Sequence, residues 1–316
     1  MEQLLRHRQN LIAIYKKYEI YINYGLKFLA ALLVFWRVNS LGMYREEFFM
    51  LFNGATGVAF VMLVALIFTV APPVMSLIMV AIVIALQLSL VLEVAIFVFL
   101  LLMLIVLFYA RLQPKQCMLI LALVFGFWLN IPYAVVLFAG LYFGLAAIVP
   151  VVIGVAVWNF LPFFTNLAQT RPIVEEIDLI ELPTSFAEVF SEIYLVLTSD
   201  ISWVIVGFVF AMMILAVHLI SLLSINHSRD IALAVGAGIG FICMIMVVAI
   251  ANVEMSLLGV ILGSIVSFAL VWVVKFFDKV KDYSRVENVL FEDDDNVYYV
   301  KIVPKARANN KENRKG

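Results

Sequence analysis

Side chains that could do chemistry are few in this chain, and most fall in or beside long apolar runs. Asn130 and Tyr133 flank Pro132, with Trp128 and Tyr142 close by. An amide and a phenol beside a proline inside an apolar stretch fit a broken membrane helix, whose freed carbonyls and helix ends can hold a solute. The competing reading is tight helix packing, since Gly140 and Gly144 form a GxxxG pair and aromatic rings favour the membrane interface. Gln87 and Glu93 make a second candidate pair. A carboxylate in hydrocarbon is costly, so Glu93 either sits at an exposed turn or serves a proton- or cation-coupled site with Gln87. Asn130, Tyr133, Glu93 and Gln87 are therefore the candidate substrate-binding residues.

The other polar groups have simpler readings. Lys27 and Arg37 stand near opposite ends of one apolar run, ~15 Å apart along a helix, and each can snorkel to an interface. Arg37 can also reach Glu46 or Glu47. Arg45, Glu46 and Glu47 form an isolated charge group, and Glu254 is a loop residue. His218, one turn from Ser221, reads as a hydrogen-bonded packing histidine rather than a proton relay. His7, His218 and His227 do not form an HExxH zinc site, and neither a GxSxG nor a P-loop occurs. Gly236-Ala-Gly-Ile-Gly240 lies in mid-run with no strand before it, so close helix approach explains it, as it does the Gly259–Gly263 pair. Cys117 and Cys243 fall inside apolar runs and read as small hydrophobes, not as a disulfide. No catalytic residue, metal, cofactor or nucleic acid is expected.

The elements that position these residues follow from composition. Of 316 residues, 65% are hydrophobic and 14% charged, and mean hydropathy is +1.09. Runs such as Leu90–Ala110 and Ile231–Ala251 approach or exceed the ~20 residues that cross a bilayer as a helix. Backbone groups find no water there, so the runs must be helical, and the ~10-residue alternating strands of a barrel are missing. The fold class is an all-α polytopic membrane protein. No cleavable signal peptide is expected, because charges at Glu2, Arg6, Arg8, Lys16 and Lys17 precede any apolar core.

Along the chain, residues 1–20 read as an interfacial amphipathic helix. An N-terminal membrane bundle covers 21–164. Its first spans run roughly from Tyr21 to Leu41 and from Met50 to Ala71, stopping at Pro72-Pro73. Val74–Ala110 is too long for one crossing and is split near Ser89–Glu93. The broken region is 117–164, divided by Pro132, Pro150 and Pro162. An external acidic segment, 165–200, follows, then a three-helix membrane bundle, 201–277, and a tail, 278–316.

Lys and Arg set the orientation. Seventeen of the 21 fall on the side of both termini, which is therefore the cytosol. Because 165–200 lies outside, the broken region crosses an odd number of times. Three crossings need ~60 residues, so one crossing plus a re-entrant helical pair is preferred. This gives about eight transmembrane helices, with ten as the alternative.

In the external segment, Thr184–Thr198 forms an amphipathic helix capped by Thr184 or Ser185. Phe186, Val189, Phe190, Ile193 and Leu197 share its apolar face. The tail holds a β-hairpin over 286–303, with an acidic tip at Glu292-Asp-Asp-Asp-Asn296. Both hairpin faces carry apolar groups, which suits a strand pair covered by a protein partner or a second copy. Phe291, Tyr298, Val300 and Ile302 are the candidate partner-binding residues.

Asp282-Tyr-Ser-Arg-Val-Glu, Phe291-Glu-Asp-Asp-Asp and Tyr298-Tyr-Val-Lys-Ile-Val-Pro304 resemble the tail of uncharacterised polytopic membrane proteins of clostridial bacteria. Ile131-Pro-Tyr and the Gly140–Gly144 region are similar too. The resemblance covers the broken region and the tail. It implies a bacterial plasma membrane and carries over no site residue. The functional reading is a non-enzymatic membrane subunit or scaffold of an envelope or transport assembly, whose partners are the lipid bilayer and a hairpin-bound protein. The alternatives are a self-contained permease working through 117–164 and, unsupported by motifs, an intramembrane enzyme.

Overall fold

A computed structural model describes residues 15, 17–39, 54–89, 91–112, 116–170, 182–199, 201–223, 225, 227–250, 257–276, 287–292 and 297–302. Most of the N-terminal 1–20 segment, the Arg45-Glu46-Glu47 loop, the acidic run 171–181, Glu254 and the hairpin tip lie outside the described residues. The helices are α1 (Glu19–Asn39), α2 (Gly54–Val70), α3 (Pro73–Gln87), α4 (Leu92–Leu112), α5 (Cys117–Trp128), α6 (Pro132–Tyr142), α7 (Ile148–Thr170), α8 (Leu182–Ser199), α9 (Ser202–Ser221), α10 (Ser228–Ile250) and α11 (Leu257–Phe276). A 3-10 turn, Gly144–Ala147, leads into α7. In the tail, β1 (Glu287–Glu292) pairs antiparallel with β2 (Val297–Ile302), Glu287 opposite Ile302.

Among the described residues, five helical segments are long and apolar enough to cross a membrane: Glu19–Asn39, Gly144–Thr170, Ser202–Ser221, Ser228–Ala249 and Leu257–Lys275. The helices α2, α3, α5 and α6 and the apolar part of α4 are shorter. The 37-residue run from Val74 breaks between α3 and α4, with turn residues at Leu88 and Ser89, close to the split expected near Ser89–Glu93. Pro73 opens α3 as its first helical residue, where its missing N–H costs nothing.

Apolar side chains gather into two large clusters. One joins α1 to α4 with the end of α7 and with Val189 and Ile193 of α8. The other joins α5, α6, the start of α7 and α9 to α11. The short α6 lies at the centre of the second, packed on α5, α9, α10 and α11, with Val136, Leu137 and Ala139 fully buried. A helix enclosed on several sides must be apolar all round, which is what Pro132–Tyr142 supplies.

Three expectations need correction. Pro150 and Pro162 do not divide the broken region, since α7 runs through both. Pro150 falls in its first turn, where no intrahelical N–H is needed, and membrane helices tolerate an internal proline whose freed carbonyl neighbours re-satisfy. The first bundle therefore does not stop at residue 164, because the same helix continues to Thr170. Finally, α8 begins at Leu182, so Thr184 and Ser185 lie inside it rather than capping it. Its buried residues Val189 and Ile193 pack with α4 and the end of α7, while Phe190 points away and is exposed.

Candidate functional site

Asn130 has a local reason to be where it is. The N–H of Ile131 bonds the carbonyl of Gly126 at 2.8 Å, and that of Asn130 bonds the carbonyl of Phe127 at 3.0 Å. Asn130 itself has φ +60°. This is a Schellman C-cap closing α5, in which asparagine tolerates the left-handed conformation better than most residues with a side chain. Ile131 then leads to Pro132, which starts α6 as its first residue.

Neighbours cover one side of the break, while Leu129 and Asn130 are exposed. A Cβ at Gly263 would strike the backbone carbonyl oxygen of Asn130, so α11 passes directly against the turn. Tyr133 is buried, its ring edge-on to Phe210 with centroids 5.9 Å apart. Phe127 stacks on both Trp158, at 5.6 Å, and Phe210, at 5.8 Å. Asn130 and Tyr133 therefore form part of a helix junction, with the Tyr133 ring packed among other rings.

Glycines perform the packing expected of them. A Cβ at Gly140 would lie 3.0 Å from Cβ of Val217. Gly236 and Gly240 meet Val217 and Met213 of α9, whereas Gly238 has nothing within 4 Å. Gly144 has φ +69°, and the His218 ring covers it, with Cε1 2.8 Å from where its Cβ would be. His218 is thus a packing histidine, and the Ser221 hydroxyl donates to its backbone carbonyl at 2.8 Å. Cys243 is half-buried against the same cluster.

Gln87 and Glu93 lie elsewhere, on either side of the α3–α4 turn. Gln87 is fully buried and donates through Nε2 to Oδ1 of Asn39 at 3.3 Å, which ties the end of α1 to the end of α3. Its Oε1 and the nearby Ser89 Oγ are buried without a protein partner among the described residues. Glu93 stands in the first turn of α4, half-buried, where a helix N-terminus favours a carboxylate. The two candidate pairs thus belong to separate packed clusters and do not form one site.

Two features were not anticipated. Asp230 in the first turn of α10 pairs with Lys275 in the last turn of α11. An apolar cavity of about 240 Å³ opens between α1, α3, α4, α5 and α7, with Arg37 in its wall. No ion pair could be read from residues 45 apart, and the cavity wall is made of the same Val, Ile and Leu that fill a core.

The class these features define is a helical protein with several candidate membrane spans and a short helical pair enclosed by longer helices. No family model matches the chain, and no match to it is found among curated proteins or solved structures.

Proposed function

We propose that this chain is a non-enzymatic integral subunit or scaffold of an envelope or transport assembly in a bacterial plasma membrane. It crosses the membrane eight times, through α1, α2, α3, α4, α7, α9, α10 and α11. The pair α5 and α6 enters and leaves on one side, α8 lies at the outer face, and both termini are cytosolic. At 12 and 11 residues, α5 and α6 reach about half of a ~30 Å hydrocarbon core.

One observation supports a structural role over a permease above others. The turn at 129–131, which the permease alternative would make a solute path, lies against Gly263, and the neighbouring Tyr133 packs its ring on Phe210. A permease of this kind needs polar groups facing a shared cavity, whereas the Asn130 backbone closes α5 and its exposed side chain does not line the cavity between α1, α3, α4, α5 and α7. The strand pair 287–302 then supplies the docking element, through Phe291, Tyr298, Val300 and Ile302. A two-stranded ribbon is marginal in water and gains stability by adding to another sheet.

Mild extraction of the full-length chain after crosslinking, followed by mass spectrometry, tests the reading. A protein partner at fixed stoichiometry, lost on Tyr298→Ser with Val300→Ser, is expected. A chain that stays alone and conducts a solute in proteoliposomes would be a permease instead.

A further inference from the structure

The pairing of β1 with β2 sorts their residues by face. Val289 stands opposite Val300, Phe291 opposite Tyr298, and Glu287 opposite Ile302. Opposed residues share a face, and faces alternate along each strand. Phe291, Tyr298, Val300 and Ile302 therefore all fall on one face, together with Val289. The other face is mixed, with Asn288 opposite Lys301, Leu290 opposite Tyr299 and Glu292 opposite Val297. The sheet has two strands, and a ribbon of this kind needs further strands for independent stability.

Neither outer edge pairs with another strand among the described residues, but the two edges differ in charge. β1 carries Glu287 and Glu292, whereas the one charge of β2 is Lys301. The residues joining the strands include Asp293, Asp294 and Asp295. The ribbon is thus acidic at its closed end, and Lys301 lies ~13 Å along β2 toward the open end.

This charge pattern separates the ways in which two copies can meet edge to edge. Antiparallel addition of β2 to β1 of the next copy sets two acidic ends side by side and leaves an open array. Addition of β1 to β1 brings two glutamates from each copy into one strand pair. Addition of β2 to β2 turns one ribbon end for end, so the acidic end of each copy lies on the side of Lys301 of the other. That arrangement closes about a twofold axis perpendicular to the sheet and keeps both apolar faces on the same side. A parallel pair about a twofold would put them on opposite sides.

We propose, on the subunit reading above, that β2 docks antiparallel on β2 of a second copy of this chain. The product is a four-stranded sheet in the order β1–β2–β2–β1 with one continuous apolar face. Tyr299 sits at the twofold axis, and Lys301 stands opposite Val297 of the other copy, beside its acidic turn. Tyr298 stands opposite Val300 of the other copy, an aromatic–β-branched pair made twice.

The test uses the full-length protein in membranes, with Cys117 and Cys243 replaced by alanine and disulfide-linked dimer as the readout. Opposed residues of an antiparallel pair have Cα atoms ~4.5–5.5 Å apart, within disulfide reach, so Tyr299→Cys is expected to link to itself on mild oxidation. Leu290→Cys, opposite Tyr299 in the ribbon, would meet its own copy across three strand spacings, ~14 Å, and should give about tenfold less dimer. Lys301→Glu added to Tyr299→Cys should lower the yield severalfold. Tyr298→Cys and Val300→Cys, coexpressed, should link to each other and not to themselves, which checks the register without altering Tyr299. Equal or greater yield from Leu290→Cys would overturn the proposal, as would an unchanged yield with Lys301→Glu. No dimer from either Tyr299→Cys or the coexpressed pair would overturn it as well; a different protein, copurifying and lost on Tyr298→Ser with Val300→Ser, would then leave the subunit reading intact. A linked dimer that conducts a solute would keep the strand pairing and remove the subunit reading.

Discussion

The backbone carbonyl of Asn130 occupies the place where Gly263 would carry a side chain. Backbone cannot swing aside as a flexible side chain can, so Gly263→Ala forces α11 away from the turn. A loss of about 1–3 kcal/mol is expected, the usual range for overpacking. The three glycines of α10 provide a graded comparison. Gly236→Ala should also destabilise, because it meets the stiff, β-branched Val217. Gly240→Ala should cost less, since the Met213 side chain can yield. Gly238→Ala should be neutral or slightly stabilising, with open space around it. Thermal unfolding in one detergent ranks all four.

Asn130 separates a capping role from a solute-binding one. With φ +60°, Asn130→Gly should leave stability unchanged or raise it slightly, because glycine adopts this conformation without strain. Asn130→Val should cost roughly 1–2 kcal/mol, the penalty for a left-handed residue with a Cβ, and more for a β-branched one. A variant Asn130→Gly that folds normally yet loses a measured activity would show that the amide does more than close α5.

Gly144 and His218 should be coupled. Any substitution at Gly144 carries backbone strain from φ +69° and a clash with the imidazole. His218→Ala removes the clash but not the strain. The double variant Gly144→Ala, His218→Ala should therefore be more stable than the sum of the single losses implies, by ~0.5 kcal/mol or more. Strict additivity in unfolding measurements would mean that the ring moves freely away.

The buried amide of Gln87 carries an oxygen with no partner among the described residues. Replacing such a group by an apolar one of similar size is often nearly neutral, whereas removing its partner is not. Gln87→Leu is accordingly expected to be close to neutral in stability. Asn39→Ala should cost about 1–3 kcal/mol by leaving the buried amide unpaired. The opposite order in denaturation would indicate that Gln87 is held by something besides Asn39.

The pair Asp230–Lys275 also has a directional prediction. Asp230 stands at a helix start and Lys275 at a helix end, so each charge agrees with its own helix dipole. Exchanging them, Asp230→Lys with Lys275→Asp, should fail to restore stability although the pair is re-formed. Full recovery in the exchanged variant would show that the helix ends contribute nothing here.

Much of the architecture was readable from apolar run length and proline. Pro73 and Pro132 mark real helix starts because each falls at a first helical position, where no N–H is needed. Pro162 gave the same signal and was misread, since one lost bond inside a long apolar helix does not end it. The break between α3 and α4 has neither Gly nor Pro, and only the length of the run locates it. The filling of the break was not legible, because nothing about Gly263 or Phe210 shows which distant residue each will meet. The same limit hid the cavity. Val124 and Val157 line it, whereas Val94 and Val136 are packed in the clusters, and the four differ only in what their neighbours leave unfilled.

The central structural claim is that α5 and α6 enter and leave on one side of the membrane while α7 alone carries the chain across. Single-cysteine labelling tests it most directly, in a background where Cys117 and Cys243 are replaced by alanine. Leu145, exposed in the turn after α6, and Lys115, before α5, become cysteines in separate variants, with Thr170 at the far end of α7 as the reference. Positions 115 and 145 are expected to react with an impermeant maleimide only from the cytosolic face, and position 170 only from outside. Labelling of 115 and 145 from opposite faces would mean that the pair crosses, and would contradict the account.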